Sequence, residues 1–129
     1  MKRTTVAALL FIAAAAPAAW AGTQEVANVV VLTSMRLAEG SLGSARNSPD
    51  SQQMLGCRIV VNSYGAPTGY CAARNASGVS GNCTTTDPEH IAQIRSISDD
   101  SFIAFSWNTS GTCTSFHISN FSTFAPKAP

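Results

Sequence analysis

Charge is scarce in this sequence: 12% of its 129 residues are Asp, Glu, Lys or Arg, and only two are His. No block of basic residues occurs beyond the first three positions, so nucleic acid and anionic membrane surfaces are poor partners. Cysteine is limited to four residues, none in a C-x-x-C pair, and the close ligand spacing of a zinc site is missing. There is no G-x-S-x-G elbow for a strained nucleophile and no glycine-rich phosphate loop. Outside the first twenty residues no run approaches the roughly 20 apolar residues a membrane-spanning helix needs.

The beginning of the chain has its own logic. Lys2 and Arg3 precede the apolar run Val6–Ala15, Pro17 interrupts it, and Ala19-Trp20-Ala21 has the small-x-small form of a cleavage site. Residues 1–21 are therefore expected to be a signal peptide, leaving a single domain over 22–129 without stable membrane insertion. No cysteine follows the cut to take a lipid, and Lys2-Arg3 is not a twin arginine, which points to the general secretion route. Six basic and seven acidic side chains remain after cleavage, a net charge of −1.

What is abundant is Ser, Thr, Asn and Gly, short residues that compete with helical hydrogen bonding and suit exposed strand faces and turns. Val-rich Glu25–Leu32 reads as a strand. Glu39–Gln53, with Gly40, Gly43 and Pro49 and no apolar period, reads as a long loop or irregular edge. Met54–Asn62 and Thr68–Asn75 form a hairpin about Asn62-Ser63-Tyr64-Gly65, and Ser101–Asn108 and Thr112–Phe121 form a second about Asn108-Thr109-Ser110-Gly111. Both turns place Asn first and Gly fourth, the preference of a type I turn closed by a residue at positive φ. Two registers compete in the second hairpin: one sets Phe105 opposite Phe116, while a glycine bulge sets Trp107 opposite Cys113 and Ile103 opposite His117. Gly78–Thr86 reads as a loop. Asp87-Pro88-Glu89 starts a helix carrying Ile91, Ile94 and Ile97 on one stripe. The expectation is a mainly β (α+β) domain: a small antiparallel sheet or sandwich of about five strands with one short helix.

Four cysteines in a small exported chain imply two disulfides. Of the three pairings, Cys57–Cys71 is favoured because a turn near Tyr64 sets those residues opposite each other; Cys83–Cys113 then remains. The rest of the sequence is sparing in chemistry. His90 is expected on a solvated helix face, and His117 points away from Phe116 and Ile118. Asp99-Asp100-Ser101 lacks the alternating ligands of a calcium loop. Tyr64, Tyr70, Trp107 and Phe121 are aromatic contact candidates. Ala-Arg-Asn occurs twice, and arginines in polar loops can clamp a carboxylate or phosphate. The candidate binding surface is accordingly Arg46, Asp50, Arg74 and His117, with no catalytic set, cofactor or metal expected.

The stretches GSARNSPDSQQMLGC, YCAARN and DSFIAFSW…GTC, within Gly43–Lys127, resemble a group of small exported bacterial proteins of uncharacterised function. The resemblance implies a bacterial origin and a recurrent fold, and no activity. The leading functional expectation is a non-enzymatic binding or structural module, in the periplasm or secreted, acting on a protein or cell-envelope component. An inhibitor or toxin is the alternative, and a small hydrolase using His117 with a neighbouring Ser or acid is a more distant one.

Overall fold

Alternation of buried and exposed side chains, rather than any long apolar run, organises the chain into strands. A computed structural model describes residues 22–126; the expected signal peptide and Lys127 lie outside the described residues. The elements are β1 (Val30–Leu32), β2 (Leu37–Ser41), α1 (Leu42–Asn47), β3 (Met54–Val60), β4 (Thr68–Arg74), β5 (Ser80–Thr85), α2 (Pro88–Arg95), β6 (Phe102–Trp107) and β7 (Cys113–Ser119). They form two antiparallel sheets, β1-β2-β6-β7 and β3-β4-β5. The described residues are mainly β as expected, with seven strands where about five were expected and two helices where one was.

The extra elements lie where loops were expected. Glu39–Gln53 contains the end of β2 and the whole of α1. β2 reads LAEGS and has little strand propensity of its own; five paired positions against β6, Leu37–Ser106 to Ser41–Phe102, make it a strand. Ser41 caps α1 by accepting from the Ser44 amide at 3.1 Å. Gly78–Thr86 holds β5, whose SGNCTT alternates exposed and buried although only one of its residues is strongly apolar. At the N-terminal end the expected strand shortens to Val30–Leu32, with a separate bridge from Glu25 to Phe124.

The two sheets face each other across one core. Val31, Ala38, Ile103 and Phe105 come from the four-stranded sheet, and Leu55, Cys71, Ala73 and Cys83 from the three-stranded one. Helix α2 begins as expected, with Asp87 accepting from the Glu89 and His90 amides at 2.9 and 3.1 Å. It buries Ile91 and Ile94, with Ile97 half-buried beyond its end. Its close approach depends on Gly69 in β4, where a Cβ would lie 2.7 Å from Ile94 Cδ1.

Both expected disulfides are present. Cys57–Cys71 joins directly opposed residues of the β3–β4 hairpin, and Cys83–Cys113 ties one sheet to the other beside the Thr84–Thr112 bridge. By loop closure alone each contributes about 3–4 kcal/mol, comparable with much of a small domain's net stability. The second hairpin uses both competing registers. Trp107 pairs with Cys113 next to the turn, and Thr114 is the extra residue of a bulge. Beyond it Phe105 pairs with Phe116 and Ile103 with Ile118, so His117 lies opposite Ala104 instead of Ile103. Gly111 at φ 78° supplies the left-handed position. The Asn108 side chain accepts from the Ser110 and Thr112 amides, both at 3.0 Å, and fixes the turn.

Candidate functional site

Asp50 sits in a turn it organises itself. One carboxylate oxygen accepts from the Gln52 and Gln53 amides at 2.8 Å, and the other from Gln53 Nε2 at 2.7 Å. These bonds, the Gln53 side chain foremost, lower its pKa to about 2. Gln53 passes the connection on, its Oε1 accepting from the Val29 amide at 2.7 Å. Arg74, at the end of β4, donates from Nε to the Gln52 carbonyl at 2.8 Å, a bond that leaves the terminal guanidinium nitrogens unused. Arg46 is exposed in the last turn of α1 and lines a cleft of about 260 Å³ with Leu42, Ala45, Gln53, Met54 and Leu55. Arg46, Asp50 and Arg74 thus surround one segment, Gln52–Gln53, and Asp50 acts there as a structural acceptor.

The outward face of the three-stranded sheet continues from this segment. Because Leu55, Cys71, Ala73 and Cys83 point inward, their neighbours point outward, and the register arranges them in three cross-strand rows. Arg58, Tyr70 and Thr84 form one row; Gly56, Ala72 and Asn82 the next; Met54, Arg74 and Ser80 the third. The middle row is a furrow, since Gly56 and Ala72 carry almost no side chain, and a Cβ on Gly56 would meet nothing within 4 Å. Its walls, Tyr70 and Arg74, stand four residues apart on β4, about 13 Å at roughly 3.3 Å per residue. The Arg58 guanidinium carbon lies 4.9 Å from the Tyr70 ring centre, a cation–π contact that holds the charge over one wall. The cleft above Gly56, Cys57, Arg58, Tyr70 and Ala72 measures about 400 Å³ and shares Met54 with the Arg46 cleft. β3, β4 and β5 contain no Asp or Glu, so the face presents two guanidinium groups and no carboxylate.

His117 does not join this group. It is exposed on β7 of the other sheet, its Nε2 2.8 Å from Ser119 Oγ and its ring edge-on to Phe102 at 6.4 Å. His90 departs from the expected solvated face. It is half-buried, 4.9 Å from the Phe116 ring, with Nδ1 3.0 Å from Thr85 Oγ1. Its spacing of four from Ile94 puts both on the core side of α2, a signal legible in the sequence beside the three-residue isoleucine stripe. Arg58 was not singled out from sequence, although the expected Cys57–Cys71 pairing already sets it opposite Tyr70 in an antiparallel hairpin, a signal that could have found it. Among the aromatic candidates, Tyr70 lines the furrow, Trp107 lines a different cleft, and Tyr64 and Phe121 are exposed elsewhere.

Among the described residues no group of three or more His, Cys, Asp or Glu is arranged to hold a metal. Among them, too, no helix is long and apolar enough to cross a membrane. Two disulfides fit an oxidising compartment. Comparison with protein families, with characterised proteins and with solved structures gives no match.

Proposed function

We propose that this chain is an exported, non-enzymatic binding module whose ligand surface is the furrow of the three-stranded sheet, and that its partner is an extended, carboxylate- or phosphate-bearing chain of the cell envelope. The observation that carries the reading is Arg58 and Arg74 on opposite walls of the Gly56–Ala72–Asn82 row, on a face without carboxylates. Guanidinium groups give paired, charge-assisted hydrogen bonds to such oxygens. Both are held before a ligand arrives, Arg58 on Tyr70 and Arg74 on the Gln52 carbonyl, and the Cys57–Cys71 bridge locks the strands beneath them. Little ordering cost is then left to binding. The leader and the exported-protein resemblance of the sequence support the location.

The test uses defined polymers. Poly-glutamate or poly(glycerol phosphate) should shift the amide resonances of Gly56 and Ala72, increasingly so at low salt, while neutral dextran should not. Removing either arginine as Arg58→Ala or Arg74→Ala should weaken binding by about tenfold or more. Unchanged Gly56 and Ala72 resonances, or native affinity in the double variant, would refute the furrow as the binding surface.

A further inference from the structure

A second cleft lies where the β1–β2 turn, β5 and the β6–β7 turn meet. It measures about 350 Å³, within the usual range of small-molecule sites of about 300–1,000 Å³. Its floor is Trp107, which points inward from the end of β6, half-buried, with Phe105 behind it at 5.8 Å. The indole fits there only because residue 81 of the facing sheet is glycine: a Cβ would stand 2.3 Å from Trp107 Cη2. The rim is equally fixed. The Trp107 amide donates to the Arg36 carbonyl and the Thr84 amide to the Gly111 carbonyl, both at 3.0 Å, and Cys83–Cys113 closes the corner. Arg36 holds φ 51°, a left-handed conformation that arginine seldom adopts, at the residue that brings its charge to this rim.

The polar groups of this rim differ from those of the other turns. The side chains of Asp50, Asn75 and Asn108 are consumed by neighbouring backbone amides. Those of Thr33, Arg36, Ser80, Asn82 and Thr109, all lining the cleft and all exposed, bond to no protein group among the described residues. No acid lines it. A complementary ligand needs an apolar surface for the indole, hydroxyls for the Thr, Ser and Asn groups, and one anionic group for Arg36. A pyranose bearing a carboxylate meets all three needs. We infer that this cleft binds an acidic sugar residue, a hexuronate unit of a polysaccharide. The cleft shares Ser80 and Asn82 of the edge strand β5 with the furrow's outer rows, but its indole floor and its arginine belong to it alone, so the inference does not rest on Arg58 or Arg74.

The test is made on the full chain carrying Trp20→Phe, which leaves Trp107 the sole tryptophan. Titration with digalacturonate should change Trp107 fluorescence saturably, and neutral galactobiose should bind about tenfold more weakly, as expected for loss of one charge-assisted contact. Arg36→Gln should remove that preference, and Thr109→Ala, at an exposed turn position outside the furrow, should weaken both sugars without altering the fold by near-ultraviolet circular dichroism. Arg58→Ala with Arg74→Ala should leave the response intact. No saturable response to either sugar, equal affinity for the two, or a native response in both Arg36→Gln and Thr109→Ala would overturn the inference.

Discussion

The two sheets reach stability by different routes. The four-stranded sheet supplies the large core side chains, with Phe105 and Ile103 fully buried. The three-stranded sheet faces them with Leu55, Ala73, Gly81 and three half-cystines, and its outward face is hollowed by Gly56 and Ala72. One sheet is held by apolar burial; the other, poor in apolar bulk, is held by a bridge within its own hairpin and a second bridge to its partner. The difference frees the three-stranded sheet's outer surface for small residues and arginines, which contribute little to packing.

That contrast is open to direct attack. The largest effect is expected from Phe105→Ala, about 3–5 kcal/mol by urea denaturation, because a fully buried ring leaves a cavity in a closed core. Next, Cys57→Ser with Cys71→Ser should cost about 3 kcal/mol. Amide hydrogen exchange should then rise in β3 and β4 while β2 and β6 stay protected; uniform loss of protection would show that the sheets do not differ in this way. The smallest effect concerns Asp50. Its pKa is held near 2, below the ordinary carboxylate value of 3.8, so its anchoring of Gln53 is complete above that ordinary value and is lost as pH falls toward 2. The Asp50 carboxyl resonance should titrate near pH 2, with exchange of the Val29 amide rising over the same window. A midpoint at 3.8 would mean that the Gln53 bond is not made in solution.

Much of the fold was legible in the residues. Asn108 to Gly111 marked its turn because a left-handed glycine is a local requirement, and Asp87-Pro88 marked its helix because capping acts within one turn. Cys57–Cys71 followed from hairpin symmetry. β2 and β5 were not legible: LAEGS and SGNCTT carry weak strand propensity, and only pairing with β6 and β4 makes them strands. The same limit applied to the site. Arg46, Asp50 and Arg74 were visible as loop and strand-end groups and do gather around Gln52–Gln53, whereas His117 was equally visible and stands on the other sheet.

Turn positions, helix start, cysteine pairing and overall class follow from the order of residues, because each depends on groups a few positions apart or on composition. Which side chains beyond a single hairpin share a surface was settled by tertiary structure. Asn82 joins the Gly56–Ala72 pair to complete the furrow, and Trp107 finds its place over Gly81, only when register and sheet packing bring distant segments together. Those adjacencies rest on a core assembled from many weak contacts, which no short stretch of the chain contains.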